Sequence, residues 1–67
     1  MYPENVNKQL FSIYNQFIFI EKNKKLKEIT IFEKIFELTR LHLIDDGYSI
    51  IEEKNDFENF CFTIKKL

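Results

Sequence analysis

Sixty-seven residues with a net charge of −1 make one domain, residues 1–67, with no global attraction to nucleic acid. One cysteine, Cys61, and one histidine, His42, exclude a disulfide framework and the usual zinc spacings. The longest apolar run, Phe17-Ile18-Phe19-Ile20, is far short of the ~20 residues of a membrane helix. Tyr2-Pro3-Glu4 after Met1 is not the basic start of a secretory signal. The expectation is a soluble, cytoplasmic protein in a reducing compartment.

Segment one, residues 4–21, carries Val6, Leu10, Ile13, Phe17 and Ile20 at spacings of 4, 3, 4 and 3. That spacing predicts a helix, entered after Pro3. Phe11, Tyr14 and Ile18 form a second apolar stripe beside the first, wider than one small neighbour covers. Lys8, Ser12, Asn15 and Gln16 are left for solvent. A strand over residues 17–21 competes, because aromatic and β-branched residues crowd there; the helix is preferred. Residues 22–28 form a polar connector holding Lys22, Lys24, Lys25 and Lys27, or extend the first helix before turning at Asn23.

Thr30 followed by Glu33 matches a capping box and predicts a second helix over 31–45. Phe32, Ile35, Phe36, Leu38, Leu41, Leu43 and Ile44 make that helix apolar on most of its circumference. Glu33, Lys34, Glu37 and Arg40 form its wet face, with Glu37 placed to pair with Arg40 at i,i+3. Gly47, the only glycine, is the expected stop. Two strands follow, at 48–53 and 58–65, joined by a turn at Lys54-Asn55-Asp56. Phe60, Phe62 and Ile64 alternate with Cys61, Thr63 and Lys65, which marks an inner face that Ile50 and Tyr48 share. The predicted fold is α+β, two helices and a C-terminal antiparallel hairpin in the order α-α-β-β.

Area scaling places such a chain near zero net stability. Burying roughly 4,200 Å² of apolar surface contributes about 105 kcal/mol. Ordering the chain costs about 100 kcal/mol. A homodimer or a protein partner supplies the missing margin.

His42 lacks a second ligand or a nucleophile nearby in sequence and reads as a packed or rim histidine. Cys61, between two aromatics, reads as a small packing residue. One glycine cannot build a phosphate loop. The site-reading criteria for catalysis are unmet, so the expectation is no enzyme, no metal, no cofactor and no small-molecule substrate.

Charge carries more. Residues 45–58 hold Asp45, Asp46, Glu52, Glu53, Asp56 and Glu58 against Lys54, with the four-lysine connector as the opposite pole. A solvated turn region is the plain explanation. An acidic docking patch for a basic protein partner is the functional one. Lysine connector against acidic hairpin in a homodimer uses the same charges. Phosphate contact through Lys22, Lys24, Lys25, Lys27 and Arg40 ranks below these.

Leu38-Thr39-Arg40-Leu41-His42-Leu43-Ile44-Asp45-Asp46-Gly47-Tyr48-Ser49-Ile50, with the later strand Phe60-Cys61-Phe62-Thr63-Ile64-Lys65-Lys66, resembles the end of a recognition helix entering the wing of winged-helix domains. The resemblance covers 31–66 and implies a reduced winged-helix-like fold and a DNA-binding regulator. An acidic wing and a helix face of Glu33, Lys34, Glu37 and Arg40 set the charge against a phosphate-lined groove. The leading expectation is therefore a small regulator or inhibitor that binds another protein through the acidic hairpin and the Phe11/Tyr14/Ile18 face. The preference for Phe, Ile, Lys and Asn, with no alanine, matches AT-rich codons of a low-GC bacterium, its phage or a plasmid.

Overall fold

A computed structural model describes residues 2–23 and 27–67, and, for residues 21–23, the backbone alone. The elements run α1 (Glu4–Asn23), β1 (Glu28–Ile31), α2 (Glu37–Asp45), β2 (Tyr48–Asp56) and β3 (Asn59–Lys66). The class is α+β as predicted. The order, however, is α-β-α-β-β, and the hairpin is part of a three-stranded antiparallel sheet ordered β1-β3-β2.

Helix α1 follows its apolar spacing. Val6, Leu10, Ile13 and Phe17 are buried, and Ile20 packs half-buried against them. The Pro3 carbonyl accepts the Asn7 N–H at 3.0 Å and sets the first turn. Residues 17–21 stay helical because Phe17 continues the buried stripe.

The unforeseen element is β1. Glu28-Ile29-Thr30-Ile31 alternates polar and apolar residues, and its register sets Ile29 opposite Ile64 and Ile31 opposite Phe62. Period-2 burial against β3 outweighs the local helix signal there. Thr30 and Glu33 consequently form no capping box. The Thr30 hydroxyl lies 2.8 Å from the Thr63 hydroxyl across the outer face, and the Glu33 carboxylate accepts from Gln9 Nε2 at 2.7 Å. The first helix extends into the predicted connector as far as Asn23, as the sequence allowed, and the connector is corrected at its other end, where Glu28 is already strand. Lys24, Lys25 and Leu26 lie outside the described residues.

Helix α2 therefore starts at Glu37 instead of Ile31. Its N-cap residue, Phe36, has no capping side chain of its own. The buried carboxamide of Gln9 substitutes. Gln9 Oε1 accepts the Phe36 N–H at 3.1 Å, and Gln9 Nε2 donates to the Lys34 carbonyl at 2.9 Å. At the other end Gly47 takes φ +92° and its N–H reaches the Ile44 carbonyl at 3.2 Å. Glycine adopts that left-handed backbone at no steric cost, so the predicted stop holds.

The hairpin is longer than predicted. Lys54, Asn55 and Asp56 belong to β2, and the turn is Phe57-Glu58, closed by the Asp56–Asn59 pair. Glu58 takes φ +62° there. The pairing of Ile50 with Ile64 already centres the turn near residue 57, and the strand carries a bulge: Glu52 faces Thr63, so Ile51 is the extra residue. Beyond it the alternation inverts, and Glu53 faces the helices beside Phe62.

Ile13, Leu43, Phe62 and Ile64 are the fully buried apolar centre. Thr39 is buried with them, and its hydroxyl has no hydrogen-bond partner. The usual acceptor four residues back would be Ile35, which lies ahead of the helix.

Two substitutions test this core by urea unfolding. Gln9→Ala orphans the Phe36 N–H and the Lys34 carbonyl and should cost about 2–3 kcal/mol; a loss under about 0.5 kcal/mol would remove Gln9 from its structural role. Thr39→Val deletes an unpaired buried hydroxyl at nearly constant volume and should raise stability by about 1 kcal/mol. A destabilised Val variant would contradict the orphaned hydroxyl.

Candidate functional site

The six predicted acids do not gather in one place. Asp45 ends α2 and Asp46 follows it, whereas Asp56 ends a nine-residue strand and Glu58 lies in the turn beyond, roughly 25 Å away by strand rise. Glu53, turned inward by the bulge, pairs with Arg40, whose guanidinium also holds Glu37. The Glu37–Arg40 pair is the one the spacing predicts. Asp46 Oδ2 accepts the Tyr14 hydroxyl at 2.9 Å. That leaves Glu52 and Asp56 on the outer face and Glu58 in the turn, all exposed.

Between Asp56 and Glu58 stands Phe57, 90% exposed. Sequence spacing missed it, because a turn placed at 54–56 leaves Phe57 between that turn and a strand starting at 58. The structure makes it the apex of the hairpin, an aromatic ring flanked by two carboxylates.

The predicted phosphate contacts are dispersed. Arg40 is half-buried and engaged by two acids. Lys27 is exposed at the entry to β1, and its carbonyl accepts the Lys66 N–H at 2.9 Å. Lys22 lies in α1, with its side chain outside the described set, as Lys24 and Lys25 are altogether.

The predicted apolar interface divides. Phe11 and Ile18 stand exposed, but Tyr14 turns inward. Its ring meets His42 and Tyr48 edge-on, with centroids at 6.2 and 5.8 Å. His42 is half-buried between Tyr14 and Tyr2, with Nδ1 3.0 Å from the Tyr2 hydroxyl. A packed rim histidine is what that geometry describes. Helix α2 adds apolar surface beyond the predicted interface. Leu38, Leu41 and Ile44 face outward while Thr39 and Leu43 face in.

Cys61 is half-buried on the outer face of β3, opposite Lys54. Among the described residues no group of three or more His, Cys, Asp or Glu is placed to hold a metal ion. No helix among them is long and apolar enough to cross a membrane. Compared with protein-family models, with curated proteins and with solved structures, the chain matches none.

Burial in the aromatic cluster, then donation to Asp46 and that carboxylate's charge, hold the Tyr14 hydroxyl protonated well above the ordinary tyrosine range. The folded chain thus binds this proton more tightly than the unfolded chain does. The resulting stability is complete below about pH 10, the unfolded value, and is lost as pH rises through the folded one. Tyr14→Phe should cost about 0.5–1.5 kcal/mol at neutral pH and flatten the alkaline decline. Urea midpoints measured from neutral pH upward check this; parallel declines in both proteins would overturn the assignment.

Proposed function

We propose that this chain is a non-enzymatic interaction module that docks on another protein through the apex of the β2–β3 hairpin. Phe57 is the anchor, and Asp56, Glu58 and Glu52 are the charged rim. The partner fitting this chemistry is a protein with an apolar pocket bordered by lysine or arginine. An anchor of this kind, aromatic and central to a small contact, is what concentrates binding energy in protein interfaces. The rim acids steer association and set its salt dependence.

The observation that carries the reading is the 90% exposure of Phe57 at the end of a strand arm. The ring contributes almost nothing to the fold where it stands. The remaining surface supports the same class. Phe11, Ile18, Leu38, Leu41 and Ile44 are all at least two-fifths exposed. The folded chain leaves 5099 Å² accessible, against roughly 4,500 Å² for a compact protein of its mass. Such a module acts as a regulator or inhibitor, and its codon-linked composition suits a phage, a plasmid or a low-GC bacterium.

A winged-helix-like regulator is the second reading. The path from α2 through Gly47 into β2, and back along β3, supports it. Its charge weighs against a DNA contact: Arg40 is held by Glu37 and Glu53, α2 turns Leu38, Leu41 and Ile44 outward, and the hairpin apex is acidic. Helix faces that enter a groove carry bases to the phosphates.

Affinity capture from the native host, compared between the parent chain and two variants, tests the leading reading. Phe57→Ala, and Asp56→Lys with Glu58→Lys, should each deplete the same captured protein, while circular dichroism and urea midpoints stay near the parent's. Capture that survives both changes refutes the hairpin apex as the docking element.

A further inference from the structure

The sheet has two open edges, because β3 is central, and they are not equally protected. The β2 edge carries Glu52, Glu53, Lys54 and Asp56 and is broken by the bulge at Ile51. Charges and bulges are how natural sheets keep edges from pairing. The β1 edge has a single charge, Glu28, no proline and no bulge. Among the described residues only its four-residue length guards it.

Its backbone polarity follows from the register. The Lys66 N–H bonds the Lys27 carbonyl, and antiparallel pairs alternate. Lys27, Ile29 and Ile31 therefore direct their main-chain groups to β3. Glu28 and Thr30 direct theirs outward. The flank of this edge is apolar: Phe11, Phe19 and Ile20 of α1 line a groove with Ile29, and Phe32 follows the strand at 83% exposure.

We propose that β1 pairs with β1 of a second copy of this chain, antiparallel about a two-fold axis at Thr30, joining two sheets into one of six strands. In this register Thr30 faces its own mate, Ile29 faces the partner's Ile31 on the inner side, and Glu28 faces the partner's Phe32. No like charges meet, since the two Glu28 side chains stand roughly 13 Å apart along the joined strands, beyond the ~8 Å screening length at physiological salt. The same two-fold axis brings the Phe11/Phe19 flanks of both α1 helices together above the joined strands.

The area suits a second copy. Phe11, Phe19 and Phe32 are 72%, 68% and 83% exposed, which is roughly 450 Å² of aromatic surface per copy. That is more than half of the ~800 Å² each partner contributes to a stable interface, before the strand edge itself is counted.

Phe32 reads both the pairing and its register, since its exposure makes it dispensable to the monomer. Sedimentation equilibrium of the full chain should give twice the 8.2 kDa chain mass. Phe32→Glu sets a like charge opposite each Glu28, whereas Phe32→Lys sets an opposite one. The Glu variant should dissociate about tenfold more readily than the Lys variant, given two such pairs per dimer. Thr30→Pro removes an outward N–H that β3 does not use and should yield a monomer with retained circular dichroism. A parent chain that stays monomeric at high micromolar concentration overturns the proposal and leaves the edge to a strand of another protein. Equal dissociation of the Glu and Lys variants overturns it too.

Discussion

Residues 32–36 leave β1 and reach α2 without a regular hydrogen-bond ladder, and two of their main-chain polar groups, the Lys34 carbonyl and the Phe36 N–H, are met by one side chain from elsewhere. Gln9 supplies it, accepting from Phe36 and donating to Lys34 and Glu33. A buried amide satisfied on both its oxygen and its nitrogen is worth more than its separate bonds, because each alternative leaves a polar group in a dry site. The consequence is geometric. Gln9 lies on the same α1 face as Val6, Leu10 and Ile13. The start of α2 is therefore fixed relative to the core, and with it the reach of Arg40 to Glu53 and of Asp46 to Tyr14.

Fixing α2 this way determines what it hides. A nine-residue helix anchored at Phe36 buries Thr39 and Leu43 and turns Leu38, Leu41 and Ile44 to solvent. A helix starting at Ile31 would have shared its apolar circumference between core and surface over four turns. The shorter one spends a buried position on a threonine hydroxyl with no partner. An apolar outward face with a polar residue at a core position is the reverse of what stability alone favours. Local rules tend to be broken where a surface is kept for contact.

Long periodic signals were legible in the sequence. The 4-3-4-3 stripe of α1 persists over more than three turns. Phe60, Phe62 and Ile64 alternate through most of β3, and Gly47 marks a helix end by its freedom at positive φ. Short or non-local ones were not. The β1 alternation spans four residues, too few to outweigh an apparent Thr30/Glu33 cap. The true cap of α2 comes from Gln9, 27 positions away, and no local pattern encodes it. The bulge at Ile51 is equally silent, yet it inverts the alternation of β2 and carries Glu53 to Arg40. The proposed site was thus legible in composition but not in geometry: the acids were found, and the aromatic they flank was not.

The hairpin continues for three pairs beyond Glu53–Phe62, through Lys54–Cys61, Asn55–Phe60 and Asp56–Asn59. A two-stranded ribbon is marginal by itself, and little covers this one. Phe60 is half-buried with the Lys34 ammonium 5.9 Å from its ring centre; every residue from Ile51 to Asn59 is exposed. Shortening the hairpin to the bulge would leave Phe62, Ile64, Ile50 and Tyr48 where they are and remove an exposed phenylalanine from water. Folding therefore does not account for the arm. The docking we propose accounts for its length, its left-handed Glu58 and its aromatic apex: the arm would reach a surface the core never touches, and the flanking carboxylates would keep an otherwise adhesive ring in water until it met a basic rim.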